Sequence, residues 1–318
     1  MFTLSEPPLF TRLRTAQRIL IAGAGGGFDV YAGIPLALAL SAQGKHVHLA
    51  NLSFADLDAL ELEDWLAPDL AAVRPGSRGR PEYFPERVLA RWLESKDLPS
   101  TVYAFPRIGA RPLRAAYEAL VRHLEVDAVV LVDGGTDILM RGDETGLGTP
   151  EEDMASLAAV SGLSELERIV VCLGFGIDAY HGVSHVDVLE NLAALDRTGA
   201  YLGALSIPSG SAEAASYLDL VDYAQAVTPL RPSIVNGQIA AALDGTFGDV
   251  SFTKRTAGSE LFVNPLMAVY FAVDLMGLAG SVGYLDQLHD TDHPAQITGV
   301  IERYREALKL RSRRTYPH

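Results

Sequence analysis

Three short segments hold the residue types best able to bind or move charge: IAGAGGGFDVY at 21–31, VDGGTDILMRGDE at 132–144 and GFGIDAYHG at 174–182. In the first, Gly23, Gly25, Gly26 and Gly27 follow an apolar run. Lacking Cβ atoms, Gly25, Gly26 and Gly27 let the backbone turn sharply and approach an anion. Asp29 then adds an acceptor or a metal ligand. In the second, Asp133 and Asp137 flank Gly134, Gly135 and Thr136. Such oxygens can hold a hard divalent cation, Mg or Mn, or the hydroxyls of a ribose. One of the carboxylates could instead orient a water as general base if its neighbour raised its pKa. Asp143 and Glu144 read as a solvated turn. The third segment offers Asp178 and His181 for ligand contact and proton transfer. His185 stands four residues beyond His181, but Gly182 and Ser184 intervene, so the pair is weaker than a zinc-binding helix signature.

The expected site therefore has Asp133, Asp137 and His181 as its chemical groups. Asp29, Asp133 and Asp137 are the metal ligands, with the glycines, Asn51, Thr136, Arg107 and Asp178 as ligand contacts. Arg107, Arg111 and Arg114 could neutralise an anion or form a solvent-facing row. HDTDH at 289–293 looks metal-like in isolation but falls between helices, which favours an exposed loop. Ser233, Asn236 and Asn264 are wall candidates. No Gly-x-Ser-x-Gly elbow occurs, and Cys172 inside IVVCLG is too apolar in setting to be a nucleophile.

A dinucleotide is disfavoured. The fingerprint Gly-x-Gly-x-x-Gly puts Phe28 in the third glycine position when read from Gly23, and Val30 when read from Gly25. The second strand ends in Asn51 where an acid is required. NAD is thus set aside, and so is a Walker loop, since no Gly-Lys-Ser/Thr follows.

These groups need elements to position them. Runs rich in Val, Ile and Leu at 18–23, 46–51, 101–106, 128–133, 168–174 and 201–207 read as strands. Helical patterns alternate with them near 30–43, 84–95, 111–124, 150–160, 185–198, 211–226, 232–243, 264–279 and 295–310. That alternation predicts an α/β fold, a Rossmann-like doubly wound, mostly parallel sheet of about six strands with helices on both faces. The expectation is a single domain over 1–318 with a helical C-terminal portion from about 230. Thr149 to Glu152 and Ser184 to Asp187 have the spacing of capping boxes or their aspartate variant. Residues 74–86, RPGSRGRPEYFPE, read as a lid or an oligomer contact. PLMAVYFAVDLMGLAGSVGYL at 265–285 is apolar enough to suggest a membrane span, but Asp274 at its centre and the Asn264-Pro265 cap favour a buried core helix.

Composition narrows the classes. The chain has 318 residues and 26 basic against 40 acidic side chains, a net charge of -14 that opposes attraction to nucleic acid or anionic lipid. Its single cysteine excludes an intramolecular disulfide and suits a cytoplasmic setting. The first twenty residues lack the basic start and apolar core of a signal peptide. The apolar 261–285 segment is compatible with a homo-oligomer.

In that order, GAGGGFDV, DGGTDILMRGDE and GFGIDAYHG resemble the prokaryotic family known as domain of unknown function 1152, over nearly the whole chain. The resemblance implies a cytoplasmic α/β protein and carries no catalytic assignment. A looser similarity links the loops to sugar-phosphate kinases, but Asp-Gly-Gly-Thr-Asp is not their Gly-Gly-Asp-Gly-Thr. The residues themselves lead to an enzyme that binds a small anionic metabolite (a nucleotide, nucleoside or sugar phosphate) and performs metal-assisted hydrolysis or group transfer. The alternative is a noncatalytic nucleotide or metabolite sensor.

Overall fold

A computed structural model of the chain describes residues 5–250 and 261–314. Eleven strands form within them: β1 (Arg18–Gly23), β2 (His46–Leu52), β3 (Trp65–Ala67), β4 (Leu70–Val73), β5 (Val102–Phe105), β6 (Ala128–Asp133), β7 (Glu167–Cys172), β8 (Tyr201–Ser206), β9 (Gly248–Asp249), β10 (Phe262–Val263) and β11 (Val269–Asp274). Nine of them make one sheet in the order β3-β4-β5-β2-β1-β6-β7-β11-β8, while β9 and β10 pair separately. The five central strands, β5 through β7, are mutually parallel, and β4 and β11 run antiparallel to their neighbours. The architecture is thus α/β with a large, mostly parallel central sheet.

Nine strands replace the six expected, for two physical reasons. β3 and β4 hold three and four residues and are paired across a turn at Asp69, which has φ of 59°, so neither is long enough to show an apolar run. β11 lies inside the segment predicted as the core helix 264–279. Asn264 does cap as expected, its side chain accepting from Leu266 N, but the turn it starts is a single 3-10 turn, Pro265–Ala268. Val269, Tyr270, Phe271 and Val273 then enter the sheet between β7 and β8, where β-branched and aromatic side chains fit a pleated surface. Helix resumes only at Leu275–Ala279, capped by Asp274. The portion after residue 230 is therefore not wholly helical. No helix among the described residues is long and apolar enough to cross a membrane.

Both sheet faces are covered. Helices Ala110–Leu124, Pro150–Ser161, His185–Arg197 and Pro294–Glu306 pack on one face around Leu113, Tyr117, Leu157 and Ile297. Helices Ile34–Ala42, Pro85–Ser95 and Ala212–Val227 cover the other around Leu40, Trp92 and Tyr217. Each buried Leu, Val or Ile adds about 1.5–3 kcal/mol of burial free energy. β1, β6 and β7 are consequently apolar along most of their length, and β6 is buried at every residue.

That topology decides where the three polar segments meet. β1 lies between β2 and β6, with Gly23 beside Asn51 on one flank and Val132 on the other, and Asp133 of β6 is level with Cys172 of β7. The loops leaving β1, β6 and β7 therefore emerge side by side at one edge of the sheet. Ala24 N donates to Val132 O at 2.9 Å, tying the first loop to the second.

Candidate functional site

At this edge the glycine loop turns back on itself. Gly26 and Gly27 have φ of 89° and 64°, a region that side-chain-bearing residues rarely enter, so the turn requires glycine at both positions. Gly25 N donates to Asp29 Oδ2 at 2.7 Å. The amide expected to cradle an external anion is thus engaged by the chain's own carboxylate. The following helix, Asp29–Ala32, has only four residues and so contributes little dipole.

Glycines instead make room for acids. A Cβ on Gly25 would lie 2.7 Å from oxygens of both Asp29 and Asp153; on Gly134 it would lie 2.9 Å from Asp29 Oδ1; on Gly135, 2.7 Å from Asp178 Oδ2. A Cβ on Gly148 would collide with Asp137. Each carboxylate also receives specific donors. Asp137 Oδ2 accepts from Thr149 N at 2.8 Å and Thr149 Oγ1 at 3.1 Å, and Asp178 Oδ2 accepts from Thr136 N at 2.7 Å. Thr149 spends its hydroxyl on Asp137, so the capping box expected there does not form, nor does the one at Ser184; a box is found instead at His293 and Gln296.

Asp153 is the acid that sequence reasoning missed. It belongs to helix Pro150–Ser161, is 1% exposed, and its Oδ1 has no hydrogen-bond partner among the described residues. One oxygen each from Asp29, Asp133 and Asp153 lies within 4.8 Å of the others. That spacing suits a divalent cation with oxygen ligands at about 2.0–2.6 Å. Asp137, expected as the third ligand, stands outside this triad and is held by Thr149. Its helix is buried almost all round, and Met154, Leu157, Ala158 and Val160 beside it are solvent-free.

Electrostatics follow from packing these acids together. Loss of solvent raises Asp133, Asp153 and Asp178 well above the ordinary carboxylate range, and mutual repulsion adds to it. Burial of the carboxylate pushes Asp29 up to about 8 against the hydrogen bonds from Gly25 and Gly134, with repulsion from Asp137 and Glu152 adding to the rise. Asp137 is also raised by burial, while its bonds to Thr149 and the charge of nearby His181 work the other way. A cluster of this kind holds protons unless a cation neutralises it.

The acids form the floor of a cleft of about 540 Å³. Phe54, Tyr83, Tyr180, Leu230, Ile234 and Val235 are among its wall residues, and Arg231 and exposed His181 stand at its mouth. The His181 and Tyr180 rings lie 3.8 Å apart. Several expected contacts act from behind instead. Asn51 is buried, donating to Gly27 O at 2.9 Å and to Glu86 Oε1 at 2.7 Å, and so braces the glycine loop. Gly27, Gly135 and Thr136 do not line the cleft. Arg107 is ion-paired with Glu152 and lies over the Phe54 ring at 5.2 Å. Arg111 pairs with Asp292, and Arg114 donates to His289 O at 3.1 Å, so HDTDH docks one helix onto another. His185 packs against Phe175. A second depression, of about 1090 Å³ beside Glu61 and Arg78, lies at the β3–β4 edge, away from this cluster.

Glu144 is not a solvated turn residue. It is fully buried and accepts from Arg141 N, Gly142 N, Asn191 Nδ2 and the Arg311 guanidinium. Arg305 adds bonds to the carbonyls of Gly142 (3.0 Å), Glu144 (2.8 Å) and Thr145 (3.2 Å). Residues from the end of the chain thereby hold the loop that leads to Gly148, Thr149 and Asp153.

The model of the family described as "Protein of unknown function (DUF1152)" matches residues 20–302. That span contains all three polar loops and the whole acid cluster. No curated protein matches the chain.

Proposed function

Because the chain belongs to the DUF1152 family of proteins of unknown function, its activity has to be read from the cleft, and we propose that it is an enzyme. It binds a divalent cation, Mg²⁺ or Mn²⁺, and through it a small anionic metabolite: a nucleotide, nucleoside or sugar phosphate. The carrying observation is Asp153 Oδ1, buried without a hydrogen-bond partner among the described residues and clustered with oxygens of Asp29 and Asp133. Leaving a buried carboxylate oxygen unsatisfied is costly, and a cation relieves that cost for three acids together. The parallel order β5-β2-β1-β6-β7 supports reading the core as a Rossmann-like doubly wound sheet, with the cleft where the strand order reverses.

When bound, the cation supplies charge neutralisation and polarises the phosphoryl oxygens. Asp29, Asp133 and Asp153 would hold it. Asp137, oriented by Thr149, and His181 at the mouth would manage protons. In hydrolysis, water adds to phosphorus as its proton passes to one of these groups. The phosphorus–oxygen bond to the leaving group then breaks, and that oxygen takes up a proton. Group transfer substitutes a hydroxyl for the water with the same balance.

Mn²⁺ binding, followed by electron paramagnetic resonance, tests the reading. Wild type should bind one Mn²⁺, and Asp153→Asn should weaken it at least tenfold while remaining folded. Equal affinity in the two proteins would sink the proposal. A nucleotide and sugar-phosphate panel with Mn²⁺ then gives the substrate class, since a ligand at 100 times its Kd adds about 2.7 kcal/mol of stability. Binding without turnover of any panel member would favour the sensor.

A further inference from the structure

The cleft has two chemically different halves, and resting on the cation-site reading above, we infer that its ligand is a nucleoside phosphate whose base stacks on Phe54 and Tyr83 while its phosphates reach the acid floor. Phe54 is 44% exposed at the cleft although it is large and apolar, and Leu230 nearby is 80% exposed. A ligand confined to the acid floor, such as a bare sugar phosphate, leaves this wall in water.

The Phe54 ring is held in place. A Cβ on Gly26 would lie 2.5 Å from Phe54 Cε1, so the ring rests directly on the glycine loop. On Gly27 a Cβ would lie 3.5 Å from Phe54 Cδ2 and 3.1 Å from the Tyr83 hydroxyl, which brings both aromatic residues to the same turn. Tyr83 is itself fixed by Phe28, whose ring centroid is 5.8 Å away at an interplanar angle of 82°. The glycine loop therefore seats flat surfaces beside the cation triad, one residue from Gly25.

The charges around the rings favour a planar heterocycle over an isoprenoid chain. Arg107 lies 5.2 Å over Phe54, and Arg231 lies 5.7 Å over Tyr83. Arg107 already has Glu152 as its partner, but an aliphatic tail would desolvate the Arg231 guanidinium without giving it one, whereas a base carries polar edges and its phosphates carry charge. Base stacking on aromatic side chains is sequence-tolerant and is measurable by alanine substitution.

Calorimetry at saturating Mn²⁺ tests this with inorganic pyrophosphate, ribose 5-phosphate, geranyl diphosphate, and ADP, GDP, CDP and UDP as probes. At least one nucleoside diphosphate should bind about tenfold or more tightly than pyrophosphate. Phe54→Ala should erase that advantage, Phe54→Tyr should retain it, and both should bind Mn²⁺ and pyrophosphate as wild type does. If Mn²⁺ and pyrophosphate bind but no nucleoside diphosphate exceeds pyrophosphate or ribose 5-phosphate, the base platform is wrong and the cation site stands. Geranyl diphosphate binding tightest of all would overturn the base in favour of an apolar chain. Failure to bind Mn²⁺ at all would remove the cation site and this inference with it.

Discussion

A Cβ atom on Gly25 would stand 2.7 Å from Asp153 Oδ1, although the two residues are brought together from the loop after β1 and from a helix more than a hundred residues later. The glycine is a spacer for a carboxylate. Gly25→Ala should therefore displace Asp153 and Asp29 rather than strain the backbone. We expect a stability loss of about 1–3 kcal/mol, as for a single inserted methyl, together with a loss of Mn²⁺ affinity of tenfold or more. Denaturant unfolding and Mn²⁺ titration of the same variant measure the two effects separately.

The cation-free protein should lose stability as pH rises. Asp29, Asp133, Asp153 and Asp178 all have folded values above those of an unfolded chain, so the folded state binds more protons. Their contribution is complete below the ordinary carboxylate value of 3.8 and is lost as pH passes the folded values, which for Asp29 means about 8. Thermal midpoints in a chelating buffer should fall between pH 5 and pH 9, and Mn²⁺ should flatten the profile. A rise over the same interval would contradict the burial argument.

Glu86 provides a control outside the proposed cation site. It is fully buried, its Oε1 accepts from Asn51, and loss of solvent pushes it up to about 7 from 4.5. Glu86→Gln should remove a pH-dependent destabilisation of about 3 kcal/mol between those values. Mn²⁺ affinity should stay unchanged, and equilibrium unfolding at pH 5 and pH 8 reads the difference.

Arg311→Ala should loosen the site loop from a distance. It withdraws one cation from Glu144, Asp143 and Glu190 together, leaving Glu144 buried without its ion pair. Breaking such a pair costs about 3–5 kcal/mol. Hydrogen exchange should quicken in residues 141–149 before it quickens in β6.

The sequence carried β1, β6 and β7 well because they are buried on both faces for most of their length, which produces Val, Ile and Leu runs such as AVVLVD at β6. It also brought Asp29, Asp133, Asp137, Asp178 and His181 to one cleft, since acids directly after such strands share an edge of the sheet. Asp153 was hidden by its surroundings: an acid early in a helix reads as a cap, and only tertiary packing turns it toward Gly25. β11 was hidden because an apolar run without alternation suits a core helix and a buried strand equally. Glu144 looked like a turn acid because its partners Asn191 and Arg311 are remote in the chain.

The pinning of loop 141–149 by Arg305 and Arg311 also sets an order of events during synthesis. Every carboxylate of the cleft has been translated once residue 178 is made, yet the contacts that close the loop come from residues more than 120 positions later. A nascent chain still emerging from the ribosome can thus hold its acids without the contacts that pin residues 142–145. The loop between Asp137 and Asp153 is therefore closed only after Arg305 and Arg311 have been made.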